Sequence, residues 1–142
     1  MGVITYSPLA GSWLSGKYTS LDDIPAEGRL AVMAKRFGGD LDTPINRRRL
    51  KAAQQVKAVA DQHGVPLARF ATAWAMEHPL VTSVIIGPRT MDQLEDSLAC
   101  ADLRLDRAAL DAVDEIVAPG TDLIPSDPSS DPSSLSATNR RR

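Results

Sequence analysis

Arg89 stands at a position where its charge could hold an anion. The chain from Ile85 to Leu98 reads as a short apolar strand that breaks at Gly87 and turns directly into a helix. The N-terminus of a helix carries unsatisfied N–H groups and about half a positive charge, so acidic residues such as Asp92 and Glu95 are favoured there and a cation is not. An anion held between Arg89, the helix amides and the backbone of Gly87 would remove this conflict. The pattern therefore predicts a phosphate site.

A second interpretation of the same residues needs no ligand. Thr90 and Gln93 have the Thr-x-x-Gln spacing of a capping box, in which two side chains satisfy helix donors reciprocally. Arg89 would then extend into solvent. The residues of this stretch support both interpretations.

The composition limits the kinds of partner. The 142 residues are 43% hydrophobic and 24% charged, which is the balance of one globular domain. A net charge of −2 gives no general attraction for nucleic acid or for an anionic membrane, so any phosphate binding has to be local. No run reaches the roughly 18 apolar residues of a membrane span, and no leader pattern begins the chain. We expect a cytoplasmic protein with no nucleic-acid or membrane partner.

The residues that commonly bind metals are sparse. Cys100 is the single cysteine, which excludes an intrachain disulfide and a cysteine-rich metal site and fits a reducing compartment. His63 and His78 each precede a helix-ending residue, where a histidine usually caps the helix or is solvated. We expect no metal site.

The elements that must position Arg89 can be predicted from periodicity and turn signals. β-branched residues predict strands over Val3–Tyr6 and Val81–Ile86, the second apolar enough to be buried on both faces. Helical spacing and stop signals predict helices over Ile45–His63 and Leu67–Glu77, with the stripe of the second helix in the core. Two further helices are predicted, from Thr90 to about Ala101 and from an Asp106 cap to about Ala118.

Two segments lack such patterns. The chain from Leu9 to Thr43 is predicted to be a long loop, and a loop of this length makes Ala10–Gly39 a candidate flap. Residues 119–142 are rich in Asp, Pro and Ser and are predicted to be disordered. Because helices separate the two strands, the strands are most simply parallel with a right-handed crossover.

In this order and spacing the motifs resemble the aldo-keto reductase family, specifically the branch that includes potassium-channel β-subunits and their bacterial relatives. The resemblance covers roughly Val3 to Ile116 and corresponds to the C-terminal part of the family's chain. The motifs that carry it are Tyr6-Ser7-Pro8-Leu9-Ala10, Leu14-Ser15-Gly16-Lys17-Tyr18, the helix of Trp74, Ile86-Gly87-Pro88-Arg89-Thr90 and Gln93-Leu94-Glu95.

The resemblance implies a fold and a cofactor. The family is a (β/α)8 TIM barrel that binds NADPH and reduces aldehydes and ketones, and the two predicted strands correspond to its strands 7 and 8. The expected fold class is thus α/β, a C-terminal barrel fragment over residues 1–118. Its ligands bind at the C-terminal edge of the barrel strands.

The resemblance also implies roles for single residues. Tyr6 would stack on the nicotinamide ring, and Ser7, Pro8, Leu9, Ala10 and Gly11 would line the pyrophosphate path. The implied phosphate contacts are Lys17, Arg29 near the adenosine phosphate, and Gly87 and Arg89 at the 2′-phosphate, while Gln93, Asp96 and Ser97 would face the adenine. The family usually has Glu and Asn where this sequence has Asp96 and Ser97.

The family's catalytic Asp, Tyr, Lys and His lie on earlier strands that this sequence does not contain. Neither Tyr6 nor Tyr18 matches the catalytic motif. The resemblance therefore implies a truncated aldo-keto reductase that binds NADP(H) and is inactive by itself. With both sheet edges unpaired, we expect it to be molten or to aggregate unless it pairs with a barrel fragment that supplies the other strands. The alternatives are a non-catalytic nucleotide-binding or interaction module and a non-functional gene fragment.

Overall fold

The computed structural model describes residues 2–36, 39–121 and 123. These residues form a mixed α/β structure that is mostly helical and contains two strands. The elements, in chain order, are β1 (Val3–Thr5), a first 3-10 helix (Ala10–Ser15), α1 (Arg29–Arg36), α2 (Pro44–Gln62), α3 (Leu67–Glu77), β2 (Val81–Val84), α4 (Met91–Leu98), a second 3-10 helix (Ala99–Asp102) and α5 (Arg107–Ile116).

The helices begin where polar side chains satisfy their first amides. The hydroxyl of Thr43 accepts a hydrogen bond from the amide of Asn46 at 3.1 Å at the start of α2. The carboxylate of Asp106 accepts one from the amide of Ala109 at 2.8 Å, so the predicted Asp106 cap is confirmed. At the other end of α2, Gly64 adopts a φ of 67°, which a residue with a side chain rarely adopts.

The core lies between α2, α3 and α5. Phe70 is fully buried at its centre, packed among Ala60, Ala73 and Ala109, which are equally inaccessible. The apolar stripe predicted for α3 is confirmed as core. Because this face of α3 is fixed by packing, its opposite side is a rigid support for the residues next to it.

The two strands pair in parallel, as predicted, with Val3 opposite Val81 and Thr5 opposite Val84. The prediction that the second strand is buried on both faces is wrong. β2 ends at Val84, and Thr82 and Ser83 within it are exposed. Neighbouring residues of a strand point to opposite faces, so the exposure of both Thr82 and Ser83 shows that neither face is fully covered at this point.

The segment Leu9–Thr43, predicted to be a long loop, contains two helices, so that prediction is wrong. The first 3-10 helix and α1 lie within it. Ile24, Leu30 and Ala31 form a second buried apolar cluster, against which Trp13, Tyr18, Leu21 and Leu41 pack. Leu30 and Ala31 lie on α1, and the other members come from outside that helix, so their burial depends on contacts across the segment.

Two further points concern the limits of the described chain. The disorder predicted for 119–142 falls largely on Asp122 and residues 124–142, which lie outside the described residues. Within the described ranges no helix has the length and apolar character needed to cross a membrane.

Candidate functional site

A cleft of about 470 Å³ opens where the chain leaves β1 and β2. One wall is the segment after β1, the other is the turn into α4, and α3 forms the floor. The cleft brings together every residue predicted to bind a cofactor except Ala10. The members that line it are Tyr6, Ser7, Pro8, Leu9, Gly11, Lys17, Arg29, Gly87, Arg89, Gln93, Asp96 and Ser97.

The wall after β1 is built from unusual backbone. Ser7, Ala10 and Ser12 have φ values of 55°, 47° and 101°, although none is glycine. Each such residue costs roughly 1–3 kcal/mol, and such strain clusters at binding and catalytic sites. Immediately before this turn, the side chain of Tyr6 is exposed, with 79% of its surface accessible. A planar aromatic ring is therefore presented at the mouth of the cleft.

The wall before α4 shows that capping and cleft lining occur together. The hydroxyl of Thr90 accepts from the amide of Gln93 at 3.3 Å, which confirms half of the predicted capping box. The side-chain oxygen of Gln93 accepts at 2.9 Å from the amide of Arg89, one residue earlier than the box requires. These two amides are thus taken by side chains. Arg89 nevertheless lines the cleft, so this turn both caps the helix and forms part of the wall.

Gly87 keeps part of this wall open. A Cβ added at Gly87 would meet no atom within 4 Å, and its φ is not in the left-handed region. Gly11, on the opposite wall, is equally open but has a φ of 71°. At Gly87 the absence of a side chain therefore provides space in the cleft and is not needed for the backbone conformation.

The charges in the cleft are mostly positive. Lys17 and Arg29 come from the segment after β1, Arg89 from the turn, and Arg69 from α3. Asp96 is the one acidic residue among the described residues that line the cleft. Because Arg69 is paired with Asp96, the three remaining cations Lys17, Arg29 and Arg89 leave the cleft with an excess of positive charge, which suits an anionic ligand.

Arg69 is a cleft residue that the sequence interpretation missed. Its Nη2 donates to the carboxylate of Asp96, so α3 and α4 are joined at this point. Its Nε is inaccessible to solvent and has no hydrogen-bond partner in the described part of the chain. The sequence signal that could have indicated Arg69 is its charge, since it is a single cation between the core positions Leu67 and Phe70. Ser97, which was predicted to face the adenine, forms a hydrogen bond within α4: its hydroxyl donates to the carbonyl of Gln93 at 2.7 Å.

Cys100 lies beneath this ion pair. Its side chain is almost completely buried, and its Sγ lies 3.4 Å from the carbonyl oxygen of Asp96. Burial raises the pKa of the Cys100 thiol, although the charge of Arg69 opposes that effect. The thiol is thus held neutral, and it acts here as a packed apolar group.

The histidines lie away from the cleft. His63 ends α2 with its Nδ1 2.8 Å from the carbonyl oxygen of Val59, and Nδ1 of His78 accepts from the amide of Leu80 at 3.2 Å. Both histidines occupy C-cap positions, His63 on α2 and His78 on α3, in agreement with the expectation that each caps a helix or is solvated. Over residues 2–36, 39–121 and 123, no group of three or more His, Cys, Asp or Glu is placed to hold a metal ion.

Comparison with known proteins adds a family to this geometry. The family model described as "Aldo/keto reductase family" matches residues 1–118. An L-glyceraldehyde 3-phosphate reductase from Escherichia coli is 30% identical over 121 residues, which are 84% of this chain and 34% of that protein. An uncharacterised oxidoreductase from Bacillus subtilis is 34% identical over 116 residues, 82% of this chain and 32% of its own.

A third relative comes from Arabidopsis thaliana and is named "Probable voltage-gated potassium channel subunit beta". It is 30% identical over 119 residues, which are 82% of this chain and 35% of that protein. The chain thus spans about a third of the length of the curated relatives it matches.

Proposed function

The chain belongs to the aldo/keto reductase family of oxidoreductases, and from that membership we propose that its cleft binds NADPH as part of a carbonyl-reducing enzyme. The observation that carries the proposal is the convergence of Lys17 and Arg29 from one wall with Arg89 from the other. A dinucleotide with a 2′-phosphate has anionic groups at two separate places, and the cleft has cations on two separate walls.

The donor set fits this cofactor. The exposed ring of Tyr6 offers a stacking surface for the nicotinamide, and the open backbone at Gly11 permits close approach of the pyrophosphate. Arg89 and the open space at Gly87 suit the 2′-phosphate end. Because a hydrogen bond to a charged group contributes about 1.5–3 kcal/mol, Arg89 would favour NADPH over NADH.

The cofactor would supply the hydride, and the described residues would bind and orient it. We place β1 and β2 as strands 7 and 8 of a TIM barrel, with the cleft at their C-terminal edge. Tyr6 and Tyr18 match no catalytic motif, so the proton donor is expected from barrel strands outside these two. The proposed role of residues 1–118 is therefore to hold NADP(H), with catalysis dependent on the remaining strands.

A second function has one observation in its favour. The Arabidopsis thaliana relative bears the name of a potassium channel subunit rather than of an enzyme. A non-catalytic module that binds the nucleotide and responds to it would use the same cleft. The two functions differ in whether carbonyl reduction occurs once the strands of a complete barrel are present.

A titration tests the shared step. The full chain is titrated with NADPH while nicotinamide fluorescence and the melting temperature are followed. Saturable fluorescence enhancement with a rise in melting temperature is expected, since a ligand that binds the folded state stabilises it. A flat titration with an unchanged melt would refute NADPH binding. Mixing with a fragment that supplies the other six strands, followed by carbonyl-dependent NADPH oxidation, then separates the enzyme from the module.

A further inference from the structure

The ion pair between Arg69 and Asp96 lies inside the proposed nucleotide site, and its partners come from different helices. Arg69 is on α3 and Asp96 is on α4. The Nη2 of Arg69 donates to Asp96 Oδ1, and about a third of the Arg69 side chain and half of the Asp96 side chain are exposed. The pair therefore stands at the cleft surface rather than deep in the core.

Asp96 is a problem for any anionic ligand. It is the one carboxylate among the described residues that line the cleft. Like charges repel, and the repulsion is stronger at the effective dielectric of a protein surface than in water, so this carboxylate would weaken the binding of a phosphate. A cation held against this carboxylate cancels most of that repulsion.

Arg69 is placed to act on Asp96. Its Nη2 is engaged by the carboxylate, and its Nε is shielded from solvent, so this atom cannot be reached from the cleft in the observed conformation. By contrast, no carboxylate in the described part of the chain accepts a hydrogen bond from a side-chain nitrogen of Lys17, Arg29 or Arg89. We propose that Arg69 is a positioning residue that neutralises Asp96 and thereby permits a 2′-phosphorylated nucleotide to bind the cleft.

The inference rests on the proposed NADPH binding, but it also predicts how variants of Arg69 change the affinities for NADPH and NADH. Arg69→Met removes the charge and keeps the length of the side chain. It is expected to raise the Kd for NADPH about tenfold and the Kd for NADH only about twofold, because NADH lacks the 2′-phosphate. Arg69→Lys keeps the charge and is expected to stay within about threefold of the wild-type Kd for NADPH.

Rescue by a second substitution is the decisive measurement. Asp96→Asn in the Arg69→Met background removes the exposed carboxylate and is expected to restore the Kd for NADPH to within about twofold of wild type. A purely structural role of Arg69 would not be repaired by this change. The matched control is Arg47→Met with and without Asp42→Asn, an ion pair with a 2.6 Å contact that lies away from the cleft. Neither control variant should change either Kd.

The outcomes separate the two proposals. If the wild-type full chain shows no saturable NADPH binding, NADPH binding and this inference both fall. If the wild type binds but Arg69→Met changes the NADPH Kd by less than about twofold, the shielding role alone is wrong. If affinity is lost and Asp96→Asn does not restore it, Arg69 contacts the ligand or supports the fold, which also overturns the shielding role. Should Arg69→Met not melt cooperatively, a loss of affinity in Arg69→Lys greater than tenfold would overturn it.

Discussion

The amide of Arg89 donates a 2.9 Å hydrogen bond to the side-chain oxygen of Gln93 four residues later. This bond closes the turn between β2 and α4 and holds the backbone of Arg89 in place, and Arg89 is also one of the residues that line the cleft. Helix capping and cleft lining therefore occur at the same turn.

The open space at Gly87 predicts a binding defect without a folding defect. Gly87→Ala places a methyl group where no atom lies within 4 Å, so we expect an unchanged melting temperature. The methyl group would occupy the proposed path of the nucleotide, and we expect the Kd for NADPH to rise about tenfold, equivalent to roughly 1.4 kcal/mol. Fluorescence titration and thermal melts measure both quantities.

Gly39→Ala is the matched control for Gly87→Ala. A Cβ at Gly39 meets the carbonyl oxygen of Ala34 at 3.7 Å, an ordinary contact, and Gly39 does not line the proposed site. Its NADPH affinity should equal that of the wild type. Equal affinity in Gly87→Ala would show that the ligand does not approach this wall.

Reversing the charge at Arg89 should change nucleotide preference. Arg89→Glu replaces attraction with repulsion at the proposed 2′-phosphate position, so the loss for NADPH should exceed the loss for NADH by about tenfold or more. Arg48→Glu, on the exposed surface of α2, should leave both affinities unchanged. Equal losses for NADPH and NADH in Arg89→Glu would mean that the 2′-phosphate lies elsewhere.

The left-handed backbone at Ala10 predicts an unusual effect on stability. Ala10 has a φ of 47°, so Ala10→Gly relieves steric strain in the folded chain. This relief partly offsets the destabilisation caused by the greater flexibility of glycine in the unfolded chain. Ala118→Gly, at an equally exposed position without a positive φ, pays the flexibility cost alone. We expect the free energy of unfolding of Ala10→Gly to be about 1 kcal/mol higher than that of Ala118→Gly. Equal losses in urea titrations would argue against strain at Ala10.

Cys100 should report on both burial and occupancy of the cleft. Because burial raises its thiol pKa, iodoacetamide should react with the folded chain more slowly than with the urea-unfolded chain at the same pH. NADPH should slow the reaction further. The pKa of the Cys100 thiol is higher in the folded chain than in the unfolded chain. Its contribution to the free energy of unfolding is therefore fully present below the unfolded pKa and is lost as the pH rises through the folded pKa. Rapid labelling of the folded chain would contradict the burial of Cys100.

Local sequence patterns determined much of the secondary structure. Leu67–Glu77 was predicted to its end residues, because an apolar stripe of helical period and a following proline are both local signals. The sequence likewise predicts the Asp106 cap and the parallel pairing of the strands. It also predicts that Gly87, Arg89 and Gln93 lie together at one turn. The family's motifs named most of the other cleft residues in advance, but not Ser12, Cys100 or those on α3.

Tertiary contacts decided what local patterns could not. The helices within Ala10–Gly39 depend on a small apolar cluster whose members are not periodic in sequence. The exposure of β2 depends on which layers cover it, and a run of β-branched residues carries no information about that. The pairing of Arg69 with Asp96 joins residues 27 positions apart on separate helices. Such a contact is set by the packing of α3 against α4, and only the folded chain brings its two charges together.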